Sequence, residues 1–446
     1  GQVARLMAEI AAAGRPVRYV ARDGERMVLA EETLAFFQPD CPLLSFPAWD
    51  CLPYDRVSPR ADVMGQRVDV LTRLAIEGGL PAHGILLTTV NAVIQRVPPR
   101  ATFRAARFQA LAGGRLDLAA LLKFLEANGY QRADTVMEAG EYAIRGGIVD
   151  VFPPGMAEPL RLDLFGDELE GIRRFDPLTQ RTTGKQTALD MKPVSEILLD
   201  QASIDCFRTG YRALFGAVAS DDGLYEAVSN GWRYPGMEHW LALFHPRLET
   251  LLDYLPDVTI MLDGEAQAAR DVRLATIADH YAARASGEMA ASARGGIYRP
   301  VPPERFYLDA PSWDSLLADR PVVELSAYGV ESAAGAIYDA GGRAGPDFGA
   351  ARAQPDSDLY GAVGHRLAAR AHARRRALTA AYSPASRDRL VHVLAEHGIG
   401  PLATIATWSE ATRLPPETVG LVVLGLEHGF TAPDLVLITE QDILGE

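Results

Sequence analysis

The hydrophobic period of this chain changes in mid-sequence, and that change limits the folds open to it. At the start, helix-length amphipathic stretches alternate with short apolar runs. Val3–Ala13 and Arg22–Phe36 carry helical patterning, Arg15–Val20 and Leu43-Leu44-Ser45-Phe46 are strand-like, and Asp62–Ala75 precedes the apolar run Gly84–Val90. Such alternation predicts an α/β layer built on a parallel sheet. From Glu141 to Asp176 the period shortens to two. Arg145–Phe152 ends at the turn signal Pro153-Pro154-Gly155, Leu160-Arg161-Leu162-Asp163-Leu164-Phe165 alternates apolar with polar, Gly166-Asp167-Glu168 turns, and Leu169–Phe175 returns. This predicts a small antiparallel sheet, half-buried. Helical patterning resumes at Ser203–Phe215 and Gly223–Gly231. Val258–Asp263 then reads as a strand and Arg270–Ala285 as a helix.

The expected fold class is therefore α/β. A parallel-sheet domain, residues 1–113 and 201–331, is split by an inserted small α+β domain with an antiparallel sheet, residues 114–200, in which Leu118–Ala127 is one amphipathic helix. A Gly/Ala-rich linker at 332–355 leads to a second small α/β domain at 356–446, with a helix at Ser386–His397 and strands at Gly420–Gly425 and Leu435–Thr439. Three domains suit 446 residues. Gly1-Gln2-Val3-Ala4 enters a helical pattern without a leading strand, and the chain stops abruptly at Gly445-Glu446. It is read as part of a longer protein.

Composition excludes several function classes. The formal net charge of −14 makes the chain a poor general polyanion binder, because nucleic-acid affinity rests on Lys and Arg neutralising phosphates. The most basic stretch, Arg366, Arg370 and Arg374-Arg375-Arg376, reads as a solvated helix end. Three cysteines, Cys41, Cys51 and Cys206, with no paired metal-ligand spacing, argue against a disulfide framework or a zinc site. No apolar run approaches the ~20 residues of a membrane span, and the start lacks a signal-peptide layout. The expectation is a cytoplasmic monomer without a membrane partner.

Sites of chemistry are scarce. No GxxxxGK motif followed by Ser or Thr occurs, so ATP hydrolysis has no phosphate cradle here. Arg145-Gly146-Gly147 precedes an apolar strand rather than a helix, so no helix N-terminus faces an anion. Asp263 follows a strand where a helicase carboxylate would sit, but Gly264 follows it; it reads as a relic or a helix cap. Glu238-His239 and Glu427-His428 are sequence neighbours that a strand would point to opposite faces. Trp49 and Tyr54 read as packing residues of a turn. Arg161, Arg173, Arg174 and Arg181 cluster around Phe175, the composition of a protein-binding hot spot. A solvated sheet edge with Phe175 in the core remains the alternative, and Arg145 suits a bracing role as readily as binding.

Two stretches resemble a known family. Phe46-Pro47-Ala48-Trp49-Asp50-Cys51-Leu52-Pro53-Tyr54-Asp55, continuing through Ser58-Pro59 and Arg67, resembles bacterial transcription-repair coupling factors (Mfd). Gly140–Pro153, with Arg161-Leu162-Asp163, Asp167-Glu168, Arg173–Asp176 and Gln180-Arg181-Thr182, is similar to the part those proteins share with the repair helicase subunit UvrB. Val90–Val97, Gly236–Trp240 and Glu427–Phe430 fit the same family. The resemblance implies a UvrB-like α/β domain split by a UvrA-binding domain. It implies a recruiting adaptor linking stalled RNA polymerase to nucleotide excision repair, with UvrA contacted by Arg161, Arg173, Arg174, Phe175 and Arg181. It implies no cofactor in this chain; ATP and Mg belong to a motor region beyond it, as do the contacts with RNA polymerase and double-stranded DNA. A distant domain of the longer protein is expected to mask the UvrA surface. Val97–Gly114 is too short for the long aromatic hairpin of UvrB. Two rival readings stay open: a UvrB-type ATP-dependent helicase fragment, and a scaffold that binds nothing.

Overall fold

The structure is a computed structural model that describes residues 1–219, 222–286, 298–328, 335–354, 358–368 and 375–445. Strands Leu43–Phe46, Ile85–Thr89, Val17–Ala21, Thr259–Leu262 and Val322–Glu324 lie side by side in that order, all parallel. Val17–Ala21 and Ile85–Thr89 are buried along their whole length, as expected of strands with no polar phase and helices on both faces. Helices α1 (Gln2–Ala12) and α2 (Gly24–Phe37) cover one face. Helix α3 (Ala61–Glu77) and the helix Ala266–Ala285 cover the other. Asp23 starts α2 by accepting from the Arg26 N–H at 2.8 Å.

Between these strands in sequence lies an antiparallel sheet. The expectation of three strands becomes six, ordered Thr182–Gln186, Glu168–Phe175, Leu160–Phe165, Ile148–Val151, Glu141–Arg145 and Gln131–Arg132, with only the last pair parallel. Gly146-Gly147 makes the turn between Glu141–Arg145 and Ile148–Val151. A Cβ on Gly147 would stand 2.6 Å from the Leu164 carbonyl oxygen, so no larger residue fits. The helix Leu118–Ala127, capped by Asp117, buries Leu121 and Leu125 against Val149, Leu160, Leu162 and Leu169. A two-stranded ribbon, Phe108–Leu111 with Ala188–Met191, closes the base.

The third sheet runs Arg343–Ala344, Phe430–Ala432, Leu435–Thr439, Arg376–Ala381, Val419–Val423 and Leu402–Thr404; the last four are parallel. Two expectations fail here. Arg376 opens a strand instead of ending a helix, its guanidinium donating to the carbonyls of Leu414 and Thr412; Arg370 and Arg374 lie outside the described residues. The Gly/Ala-rich stretch is also tied down where described. Arg343–Ala344 pairs with the sheet, Phe348 is buried, and the Arg352 guanidinium bonds the Asp442 carbonyl. Small residues there allow close approach rather than freedom: a Cβ on Gly345 would meet Gly429 backbone at 2.6 Å.

The first and third sheets share a core. α1 and α2 present apolar residues to both, so Met7, Met27, Leu34 and Phe37 belong to one cluster with Tyr19 and Leu87 on one side and Leu378, Leu424 and Leu437 on the other. Trp408 meets Phe36 and Phe37 at centroid distances of 6.5 and 5.7 Å, beneath the Arg5 guanidinium at 5.4 Å.

The antiparallel unit docks on α3. Gly65 admits Pro154, whose ring would stand 3.2 Å from a Cβ there, and Gly155 (φ +79°) abuts the Asp69 carboxylate. The same carboxylate pairs with Lys192. Two residues along, Arg67 is fully buried and pairs with the equally buried Glu196, on the segment that leaves the antiparallel unit. Arg67 also donates to the Pro47 carbonyl at 2.8 Å and lies 4.2 Å over the Phe46 ring, while the Trp49 indole N–H donates to Glu196 at 3.4 Å. The aromatic-proline stretch is thus the socket of a buried ion pair. Trp49 and Tyr54 are 7% and 1% exposed, core residues as expected. Glu238 and His239 are buried on a 3-10 turn, Met237–Leu243, not on a strand.

Two outcomes are expected. Arg67→Met strands a buried carboxylate and costs about 3–5 kcal/mol, most of which Arg67→Met with Glu196→Leu restores; urea unfolding measures both. Burial holds His239 and His245 down at about 4, against the ordinary 6.5. Their folded pKa lies below the unfolded one, so the unfolded chain takes up protons first. Stability is complete above about pH 6.5 and falls by about 2 kcal/mol per histidine at pH 5. Unfolding of His245→Asn at pH 7 and pH 5 should show a smaller difference than the unaltered chain.

Candidate protein-binding surface

The register of the antiparallel sheet sorts its side chains. Leu160, Leu162 and Leu164 face the helix, so Arg161, Asp163 and Phe165 take the other face. Across that outer face, Ala143, Asp150, Arg161, Arg173 and Lys185 form one row, and Arg145, Ile148, Asp163 and Gly171 the next. Two arginines therefore stand directly opposite each other, and carboxylates offset the repulsion. Arg161 forks onto Asp150 at 2.7 and 2.8 Å; Arg173 forks onto Asp163 at 2.8 and 2.6 Å. The Asp150 bond holds Arg161 above its ordinary pKa.

The five residues singled out from sequence fare differently. Phe175 is fully buried, packed with Val136 and Ala143 in a satellite core and capped by the Arg161 guanidinium at 4.5 Å. The reading of Phe175 as an exposed anchor is corrected: the 133–138 loop roofs this end of the outer face. Arg161 is mostly buried, with a side chain 16% exposed, and also reaches Gln180. It supports the face more than it projects from it. Arg173 and Arg174 are partly exposed, at 37% and 47%, and Arg174 lies 3.9 Å from Glu158. Arg181 is exposed and forms no ion pair among the described residues.

The exposed aromatic is Phe165, 74% exposed at the hairpin tip beside Gly166. Ile148, 36% exposed, lies one strand away, and exposed Arg145 is in register with it. Arg145 also braces the sheet, donating to the Asp134 carbonyl and to Thr135 at 3.0 Å. A signal for Phe165 exists in the sequence: in Leu160–Phe165 it is the one aromatic in the polar phase.

Asp263 is buried and takes the Arg26 guanidinium at 3.2 and 3.3 Å, while Glu265, not Asp263, precedes the helix Ala266–Ala285. Among the described residues no three His, Cys, Asp or Glu side chains gather to hold a metal, and no helix is long and apolar enough to cross a membrane.

Comparison with known proteins matches residues 109–196 to the UvrB interaction domain and residues 371–443 to the MFD, D3 domain. The transcription-repair-coupling factor of Escherichia coli is 31% identical over 460 residues, covering 99% of this chain and 37% of the relative. That of Haemophilus influenzae is 37% identical over 221 residues, 49% of this chain and 19% of the relative. That of Bacillus subtilis is 24% identical over 272 residues, 58% and 23% respectively. The chain thus spans less than two fifths of these relatives' length, and within that span it belongs to the transcription-repair coupling factor family.

Proposed function

We propose that this chain is the part of a transcription-repair coupling factor that recruits UvrA, through the outer face of the antiparallel sheet. The carrying observation is Phe165: a large aromatic, 74% exposed, beside Ile148 and Arg145 on a face whose other arginines are held in place by Asp150 and Asp163. An exposed apolar anchor on a face that also carries fixed guanidinium groups is what a protein-binding hot spot needs. Arg145 and Arg173 on that face, with exposed Arg181, supply positive charge in an acidic chain, favouring an acidic partner surface and salt-dependent association, whereas Arg174, in register with Leu160, lies on the opposite side of the sheet. The three-sheet arrangement supports an inserted docking unit carried on a UvrB-like α/β body and a small third domain.

The reading assigns no catalysis or cofactor to this chain. Its support is the use of Asp263 to pair Arg26 at the carboxyl edge of the parallel sheet, where a nucleotide would otherwise sit. RNA polymerase, double-stranded DNA and a cytoplasmic location belong to the same proposal, by way of the longer relatives. A distant domain that masks the outer face would make the full-length protein bind UvrA more weakly than this chain.

Binding of purified UvrA tests the proposal. Phe165→Ala should weaken it about thirtyfold or more, the loss of a hot-spot residue worth about 2 kcal/mol, without lowering the melting temperature. Phe175→Ala should instead cost about 3–5 kcal/mol of stability, as a core truncation does. Unchanged affinity in folded Phe165→Ala, or no binding by the unaltered chain, removes the assignment.

A further inference from the structure

Gln180 stands at φ +60°, in the left-handed region where a side chain crowds the backbone and glycine fits more easily. The turn that contains it is closed by other groups. The Gln180 N–H donates to the Asp176 carbonyl at 2.8 Å and the Asp176 N–H to the Arg181 carbonyl at 2.9 Å, while the Asp176 carboxylate accepts from the Thr179 N–H at 2.6 Å. Left-handed backbone at a residue with a long side chain persists where the surroundings over-determine it, and it gathers at ligand clamps. The contacts of the side chain at 180 show what holds it.

Its amide supplies both donors and an acceptor. One bond is local, from Nε2 to the Pro177 carbonyl at 2.6 Å. The others reach across the outer face of the antiparallel sheet. Oε1 accepts from the Arg161 guanidinium at 3.3 Å, and the Gln180 carbonyl accepts from the same group at 3.4 Å. Nε2 also donates to the Val136 carbonyl at 3.2 Å, in the loop that roofs Phe175. Just before Val136, the Asp134 carbonyl and the Thr135 hydroxyl receive the Arg145 guanidinium. Just after it, the N–H groups of Met137 and Glu138 donate to the Glu141 carboxylate at 2.8 and 2.9 Å. Arg161 keeps its fork on Asp150 whatever residue stands at 180. Arg145 forms no ion pair among the described residues, and its hydrogen bonds go to this loop.

We propose that Gln180 is a positioning residue of the recruiting surface. It holds the 133–138 loop, and through that loop the Arg145 guanidinium, in the pose that the partner meets. The inference rests on the reading of this face as the recruiting surface. A guanidinium that is already oriented loses less freedom when it pairs, so a loosened loop weakens association without the removal of any contact.

UvrA binding by altered chains, measured well below their melting temperatures, tests the role. Gln180→Gly keeps the turn, because glycine adopts φ +60° freely, and deletes the amide. Gln180→Met keeps the length of the side chain and deletes its hydrogen bonds. Each binds UvrA about tenfold more weakly than the unaltered chain (about 1.4 kcal/mol), and the N–H groups of Met137 and Glu138 exchange faster with deuterated water. In an Arg145→Ala background neither change alters affinity by more than about twofold, since the side chain they displace is gone. A purely structural role would lower the melting temperature and leave affinity unchanged. That result overturns the inference while the recruiting reading stands, as does unchanged exchange at Met137 and Glu138, or the full loss of affinity in the Arg145→Ala background. No binding by the unaltered chain removes the recruiting reading itself, and this inference with it.

Discussion

The pairing of Arg67 with Glu196 is the constraint on which the arrangement of this chain depends. The two residues are 129 positions apart and both fully buried. One belongs to the helix after the second strand of the parallel sheet; the other belongs to the segment by which the chain returns from the antiparallel unit. A charge pair buried this deeply tolerates little displacement, because each partner left alone loses far more than the pair gains over an apolar contact. Its surroundings are committed accordingly. Phe46 lies under the guanidinium, Pro47 lends a carbonyl and Trp49 an indole N–H. With Pro154 seated on Gly65 and Lys192 on Asp69, both the far turn and the exit of the antiparallel unit rest on α3.

Rigidity at that seam gives meaning to the outer face of the antiparallel sheet. Its ion pairs serve position before affinity. Arg161 is fixed by Asp150, Gln180 and the Phe175 ring, and Arg173 by Asp163, so little side-chain freedom remains to be lost when a partner arrives. Burial of Phe175 stiffens one end of the face. Exposure of Phe165 at the other end leaves apolar surface uncovered where a tight Gly-containing turn holds it still.

Much of this was legible in the sequence. The change of period located the antiparallel strands, the helix Leu118–Ala127 has the bounds expected of it, and Trp49 and Tyr54 fell in the core. What escaped was decided by contacts distant in sequence. Phe175 sits on the polar side of its strand, and only the loop carrying Val136 makes that side an interior. Between Asp163 and Leu164 the strand register shifts, so alternation counted along Leu169–Phe175 does not carry over to its neighbour. Arg376 was charged and followed other arginines, yet its neighbours Ala377 to Ala381 are the centre of a sheet. Arg67 gave no local sign that its partner lay beyond an entire intervening unit.

The helical layer shared by the first and third sheets bears on how the chain is made. α1 and α2 leave the ribosome well before the strands that cover their far side, which end at Thr439. At ordinary elongation rates of roughly 5–20 residues per second, the interval is on the order of 20 to 80 seconds. For that time a greasy flank of the nascent chain has no native cover, and the protein's yield in the cell rests on whatever shields it until the last sheet closes.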